Sequence, residues 1–161
     1  SLTDTATELA LRALAHPPMS AETSWTEAWR RAEIPAANGH GNARSVAQVQ
    51  SVLAAGGGPG SRGLISAAGA AKVFEQQSYN VDLILGVKIR HGIGYGLMCP
   101  ETPLSPSERA CFWGGWGGSI VVVDIDKNLV IAYMMNKMGE GTMGDLRGVS
   151  VVFAAYQSLV A

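Results

Sequence analysis

The segment Ser119-Ile-Val-Val-Val-Asp-Ile-Asp126, the polar pair Lys127-Asn128 and the segment Leu129-Val-Ile-Ala-Tyr-Met-Met135 constrain this chain more than any other stretch. Two runs rich in β-branched residues on either side of a short polar break predict a β-hairpin. Side chains alternate between the faces of a strand, so a hairpin with one wet face alternates apolar with polar residues. Here the apolar residues are nearly continuous, and both faces of the hairpin must be covered. The last segment, about Asp145 to Val160, can supply one cover, because Leu146, Val149, Val152, Phe153, Tyr156 and Leu159 recur at helical spacing.

Upstream the pattern is helical. Residues 4 to 15 carry Leu9, Leu11 and Leu14 among alanines on more than one face, which predicts a widely buried helix stopped by His16-Pro17-Pro18. A long loop to about residue 41 holds Trp25, Trp29, Arg30, Arg31 and Asn38-Gly39-His40-Gly41. Asn42 is placed to cap a helix through Ala55 with Val46, Val49 and Leu53 on one face, ended by the glycine-rich run 56–60. Ser66 is placed to cap a second helix reaching Gln77, burying Ala70, Val73 and Phe74. Val81 to Val87 and Ile93 to Met98 read as extended segments punctuated by glycine.

Composition narrows the function classes. With 12 Lys+Arg against 13 Asp+Glu the formal net charge is -1, which gives no general attraction to nucleic acid. Charged residues make up 16% and hydrophobic ones 47%, enough apolar material for a core and too much for a disordered chain. No apolar run approaches the ~20 residues that cross a bilayer. Cys99 and Cys111 cannot form a disulfide framework and read as two reduced thiols, which with the lack of a visible secretory signal places the expectation in the cytoplasm. The start at Ser1 reads as that of a fragment or a processed chain; an N-terminal serine nucleophile is the alternative.

Gly139-Glu-Gly-Thr-Met-Gly144 is a literal G-x-G-x-x-G. It follows an antiparallel hairpin and no second parallel strand comes after it, so it reads as a glycine-rich turn into the last helix with Thr142 as cap. His16, His40 and His91 lie far apart and neither cysteine has a C-x-x-C partner, so no metal or other cofactor is expected. The most informative block is Phe112-Trp-Gly-Gly-Trp-Gly-Gly-Ser119. Glycine weakens a strand interior, and its density here implies that something approaches the main chain closely. A bare strand edge beside an indole can pair with an extended or acyl-bearing ligand; close packing against the chain itself is the structural alternative.

This block, with Val122-Val123-Asp124, Asp126 and Ala132-Tyr-Met-Met-Asn-Lys-Met138, resembles the C-terminal signature of serine hydrolases of the class C β-lactamase-like family, in particular its esterase branch. The strings Trp29 to Arg44 and His91-Gly-Ile-Gly-Tyr-Gly-Leu97 agree, so the similarity covers nearly the whole chain. The resemblance implies an α/β architecture of the α+β type: an antiparallel sheet with flanking helices and part of a helical lobe, as in the C-terminal portion of a β-lactamase/transpeptidase-like fold. Residues 1–80 then belong to the helical lobe and 81–161 to the sheet with its last helix.

In that family the strand motif matching Trp113-Gly114-Gly115 replaces Lys-Thr-Gly of the β-lactamases and lines the active site. The missing lysine favours a neutral ester or acyl substrate over a β-lactam carboxylate. By the same resemblance Trp116 supplies its backbone N–H to the oxyanion hole, and Trp113, Gly114, Gly115 and Gly117 contact substrate. The family's nucleophile stands in Ser-x-x-Lys, and no serine of this sequence is followed by lysine at that spacing. The expected partner is therefore an N-terminal half of the same enzyme, or a companion chain, that carries Ser-x-x-Lys; alone the chain should be inert. The alternative is a non-catalytic accessory or remnant protein acting as a binding module.

Overall fold

The structure is a computed structural model and describes residues 2–16, 18 and 20–159. Ser1 and the expected helix end at Val160 lie outside the described residues. The chain forms two compact units. One contains the residues up to Gly41 together with Val81–Val87, and the other contains Asn42–Asn80 and the residues from Lys88 onward. Within the second unit the two helices of residues 42–80 pack on the sheet.

In the first unit, helix α1 spans Leu2–Leu14. Its expected wide burial is not observed, because Leu11 and Leu14 are exposed. The long loop contains a 3-10 turn, Ala21–Trp25, and a short helix α2, Glu27–Arg31, whose N-cap hydroxyl on Thr26 accepts from the Trp29 N–H at 3.2 Å. Asn38 fastens the rest, accepting from the Ile34 N–H and donating to the Trp29 carbonyl. His40 makes a local contact with the Asn38 carbonyl. Val81–Val87, expected as a strand, is instead largely a turn. The Asp82 carboxylate accepts from the N–H groups of Ile84 and Leu85, and Gly86 adopts φ 70°, so local side-chain bonding outcompetes the ladder.

In the second unit, Asn42 and Ser66 cap helices α3 (Ala43–Ala54) and α4 (Ala67–Lys72), accepting from the N–H groups of Ser45 and Gly69. Helix α4 ends short of Gln77. The strands are β1 (Ser78–Val81), β2 (Lys88–His91), β3 (Gly96–Leu97), β4 (Ala110–Gly114), β5 (Ile120–Asp124) and β6 (Leu129–Tyr133), arranged in that order in one sheet. The segment 93–98 thus contributes only a two-residue strand, since Gly94, at φ 77°, turns the backbone out of the extended region.

The expected hairpin is β5–β6, paired from Ile120↔Tyr133 to Asp124↔Leu129. Its turn spans the residues between Asp124 and Leu129, longer than Lys127-Asn128 alone, with Asn128 at φ 47°. Each face has its own cover. Cys111, Val121 and Val123 pack with Leu53 of α3 and with Ala70 and Val73, whereas Phe112, Ile120, Val122 and Ile131 pack with Val152 and Tyr156 of helix α5 (Leu146–Ser158). The period of two is visible in β5, where successive residues enter opposite clusters. Helix α5 turns Gly148, Val152 and Tyr156 inward; Leu146, Phe153 and Leu159, expected on that face, are exposed because the buried stripe runs at i, i+4, i+8 from Gly148. The N-cap is Asp145, accepting from the Arg147 N–H, and not Thr142. Asp145 is the residue adjoining the first helical turn, which is where a cap has to stand.

Candidate active site

Strand β4 presents the informative block to one edge. Gly115 donates to the Ser119 carbonyl at 2.7 Å and Ile125 donates to the Arg109 carbonyl at 3.1 Å, which fixes the hydrogen-bonding parity of the β4–β5 pair. Main-chain groups alternate in direction along an antiparallel strand, so those of residue 114 point away from β5. On that side β3 pairs only at Gly96↔Phe112 and Leu97↔Cys111, leaving Trp113 and Gly114 without a strand partner. The Trp113 ring, 38% exposed, lies 5.9 Å from the His91 ring at a tilt of 43°.

The glycines have more local causes than the sequence suggested. A methyl group at Gly114 would overlap the main chain of Met143 and Gly144, and one at Gly117 would lie 2.8 Å from Met135 Cε and 2.9 Å from Met138 Cε. Gly118 has φ 122° and stands against Asp145 and Arg147. The close approach is thus made by the chain itself at these positions, whereas a methyl group at Gly115 would make only ordinary contact, nearest Ser119 Cβ at 3.7 Å. At Gly114, Gly117 and Gly118 the structural alternative, close packing within the chain, accounts for the glycine: a loop, a methionine pair and an ion pair stand there.

The literal G-x-G-x-x-G is part of the same packing. Gly117 donates to the Gly141 carbonyl at 2.8 Å, Gly139 donates to the Gly117 carbonyl at 2.7 Å, and Gly144 donates to the Gly115 carbonyl at 3.2 Å. Gly118 also donates to Gly115. Arg147, paired with Asp145, reaches the Lys137 carbonyl through Nη1 at 2.8 Å and the Gly117 carbonyl through Nη2 at 3.0 Å. This pairing holds the Asp145 carboxyl below the usual aspartate range. Gly117 therefore has both main-chain groups engaged within the protein. Around the turn 115–118, the Trp116 N–H is left without an acceptor among the described residues, and the Trp116 side chain is 52% exposed.

Beside Trp113 the surface forms a groove of about 340 Å³. Trp113, Gly114 and Gly115 line it, and Trp116 and Gly117 do not. Gln50 of α3, Tyr95, Ser119 and Met134 complete its walls, and none of the lining side chains is charged. The Tyr95 phenol donates to Gln50 Oε1 at 2.6 Å, and burial raises the Tyr95 pKa above that of a free phenol, so it keeps the proton it donates. The sequence reading missed Gln50, Tyr95 and Met134 as wall residues. Only the placement of Tyr95 within His91-Gly-Ile-Gly-Tyr-Gly-Leu97 hinted at it.

A larger hollow of about 670 Å³ lies over the loop 98–109 and contains none of the expected site residues. Its two arginines are already engaged, Arg90 with Gln76 and the Met98 carbonyl, Arg109 with Asp126. Among the described residues, no cluster of three His, Cys, Asp or Glu side chains is placed to hold a metal, and no helix is long and apolar enough to cross a membrane.

The family model described as beta-lactamase matches residues 3–155. The crystal structure of a family VIII carboxylesterase superposes with a TM-score of 0.82 at 39% identity, over 92% of this chain and 40% of that one. A novel penicillin-binding protein homolog from Caulobacter crescentus superposes with a TM-score of 0.75 at 37% identity, over 83% of this chain and 36% of that one. The chain therefore spans less than half the length of either solved relative. No curated protein matches it.

Proposed function

This chain belongs to the beta-lactamase family of hydrolases, and from that premise we propose that it is the C-terminal part of a serine carboxylesterase or acyltransferase, supplying the substrate wall and one oxyanion donor. The likeness to a family VIII carboxylesterase supports the ester-cleaving branch over β-lactam hydrolysis. So does Trp113 at a position where a cation would be needed to hold a β-lactam carboxylate.

The observation that carries the reading is the Trp116 N–H. Its neighbours in the turn are tied down by hydrogen bonds, while this donor has no acceptor among the described residues and borders an unpaired strand edge. A fixed donor without a partner suits an oxyanion, because little reorganisation is needed when charge develops. In the proposed reaction a serine Oγ from a Ser-x-x-Lys segment attacks the ester carbonyl and its proton passes to a neighbouring base. The carbonyl oxygen becomes an anion held by the Trp116 N–H, and collapse expels the alcohol to leave an acyl-serine. Water or an acceptor alcohol then takes the acyl group and regenerates the serine. The groove beside Trp113 and Gly115 receives the acyl portion, and its uncharged lining suits a neutral one.

The test uses a fluorophosphonate probe and a p-nitrophenyl acyl ester, with the chain alone and mixed with a polypeptide that carries the Ser-x-x-Lys portion of a carboxylesterase of this family. The chain alone should neither label nor turn over ester. The mixture should label on the partner's serine and release p-nitrophenol. Ester binding with no labelling in any mixture would instead identify an accessory binding module.

A further inference from the structure

The geometry points to the Gln50 carboxamide as a recognition group for a second carbonyl oxygen, one carried along the acyl chain of the substrate and distinct from the reacting ester. This rests on the ester-cleaving reading of the wall.

Gln50 projects from α3, a helix whose other glutamine, Gln48, is exposed to solvent, whereas Gln50 is half-buried. The Tyr95 hydroxyl bonds to its Oε1 and fixes the amide plane. An amide has two N–H donors besides its oxygen, and Nε2 of Gln50 meets no acceptor among the described residues. Of the remaining polar side chains on the groove, the Tyr95 hydroxyl is spent on Gln50 and the Ser119 hydroxyl donates to the Met135 sulfur at 3.4 Å. Among the described residues the Trp113 indole N–H has no partner either, but it belongs to a ring that is largely apolar wall. The groove thus offers an apolar surface with an oriented amide donor at its α3 side.

No lining residue is charged. A carboxylate or phosphate entering the groove would lose water without gaining a counter-charge, which is unfavourable. A neutral carbonyl oxygen exchanges its water for the amide N–H at little cost. Ligands of this kind bind in apolar clefts oriented by a small number of polar groups.

The experiment titrates the 15N-labelled chain with methyl 4-oxopentanoate and, separately, with methyl pentanoate, reading the Gln50 Nε2 and Trp113 Nε1 signals. Both esters should shift the Trp113 signal. Only the keto ester should shift the Gln50 amide, and it should bind about tenfold more tightly, the worth of one neutral hydrogen bond. Gln50→Leu should abolish the difference between the two esters, and Tyr95→Phe, which frees the amide without removing it, should reduce it. Equal affinities in the unaltered chain, with Trp113 still responding, would overturn the role of Gln50 and leave the ester wall standing. A silent Trp113 signal with both esters would overturn the wall itself.

Discussion

Nη2 of Arg147 donates to the carbonyl of Gly117 across 3.0 Å, joining the start of α5 to the turn that carries Trp116. The same guanidinium holds the Lys137 carbonyl and Asp145, so one side chain links the helix N-terminus, the loop after β6 and the turn after β4. Arg147 is thereby a positioning residue for the proposed oxyanion donor, acting through the Gly117 carbonyl in the same turn.

Arg147→Ala should leave the chain folded but loosen that turn. In the isolated chain, hydrogen exchange at the Trp116 amide should accelerate. In a reconstituted esterase kcat should fall with little change in KM, by less than the ~10²–10³-fold that loss of a whole oxyanion donor costs. Arg147→Lys should recover only part, because an ammonium cannot bridge the same carbonyls and carboxylate with a planar fork. Unchanged exchange at Trp116 in the alanine variant would remove Arg147 from this role.

The two thiols should differ in reactivity. Burial, reinforced by the Asp124 carboxylate, pushes the Cys111 thiol up to about 12, so it carries almost no thiolate at pH 8. Cys99 is half-buried in a loop, its sulfur 3.0 Å from Thr102 Oγ1. Iodoacetamide followed by peptide mass spectrometry should find Cys99 alkylated in the folded chain and both cysteines alkylated only in denaturant. Alkylation of Cys111 at a comparable rate under native conditions would contradict its placement between the sheet and α3.

Glu101 accepts from the Tyr79 hydroxyl at 2.6 Å and pairs with Lys88 at 3.1 Å, and these contacts pull its carboxyl down to about 2. A carboxylate with a lowered folded pKa stabilises the fold fully above its unfolded value, near 4.5, and the contribution fades as pH falls toward 2. Urea midpoints should therefore drop more steeply between about pH 4.5 and 2 in the natural chain than in Glu101→Gln. All three side chains lie toward the surface, so the difference should be small and should shrink in high salt. Parallel pH profiles for the two proteins would exclude the coupling.

Asp124 is fully buried at the end of β5, and its carboxyl accepts from Ser105 at 3.0 Å, from Tyr156 at 2.8 Å and from the Lys127 N–H at 3.0 Å. It ties the loop before β4, helix α5 and the hairpin turn together. Tyr156→Phe leaves the ring in place and strips one donor from a buried acid, which should cost about 1–3 kcal/mol in urea unfolding. A cost near zero would mean that water replaces the phenol.

The elements legible in the sequence were those whose cause is local or periodic. Asn42 and Ser66 announce their helices because a cap is a short-range bond, and the β5–β6 pair is announced by apolar residues that continue across the alternation. Trp113, Gly114 and Gly115, singled out by the resemblance, line one groove. The glycines were harder to read, because a glycine records that something is close without recording what. At Gly114 it is the Met143 main chain, about thirty residues away in sequence, and at Gly117 it is the methionine pair 135 and 138. The Arg147 bridge and the Gln50–Tyr95 pair are likewise long-range, and an arginine in the first turn of a helix carries no signal that its partner is a distant carbonyl. The β preference of Val81 and Val87 predicts an extended segment there, but Asp82 and Gly86 override it with a turn.

Gly114 and Gly115, adjacent in the wall, should respond to alanine in opposite ways, which separates packing from recognition. At Gly114 the added methyl overlaps the Met143–Gly144 main chain, which is anchored by Gly144 donating to Gly115 and by the start of α5. That backbone cannot step aside as a flexible side chain would, so Gly114→Ala should destabilise the chain by about 1–3 kcal/mol, the usual cost of overpacking. At Gly115 the methyl finds nothing nearer than Ser119 Cβ at 3.7 Å, and the position does not have the positive φ that would strain alanine. Gly115→Ala should therefore stay within about 0.5 kcal/mol of the parent, while its methyl narrows the groove and weakens methyl pentanoate binding, read from the Trp113 signal. If Gly115→Ala bound the ester as the parent does, the groove beside Trp113 would not be where the acyl chain lies; if Gly114→Ala were as stable as the parent, the 143–144 loop would not be held against β4.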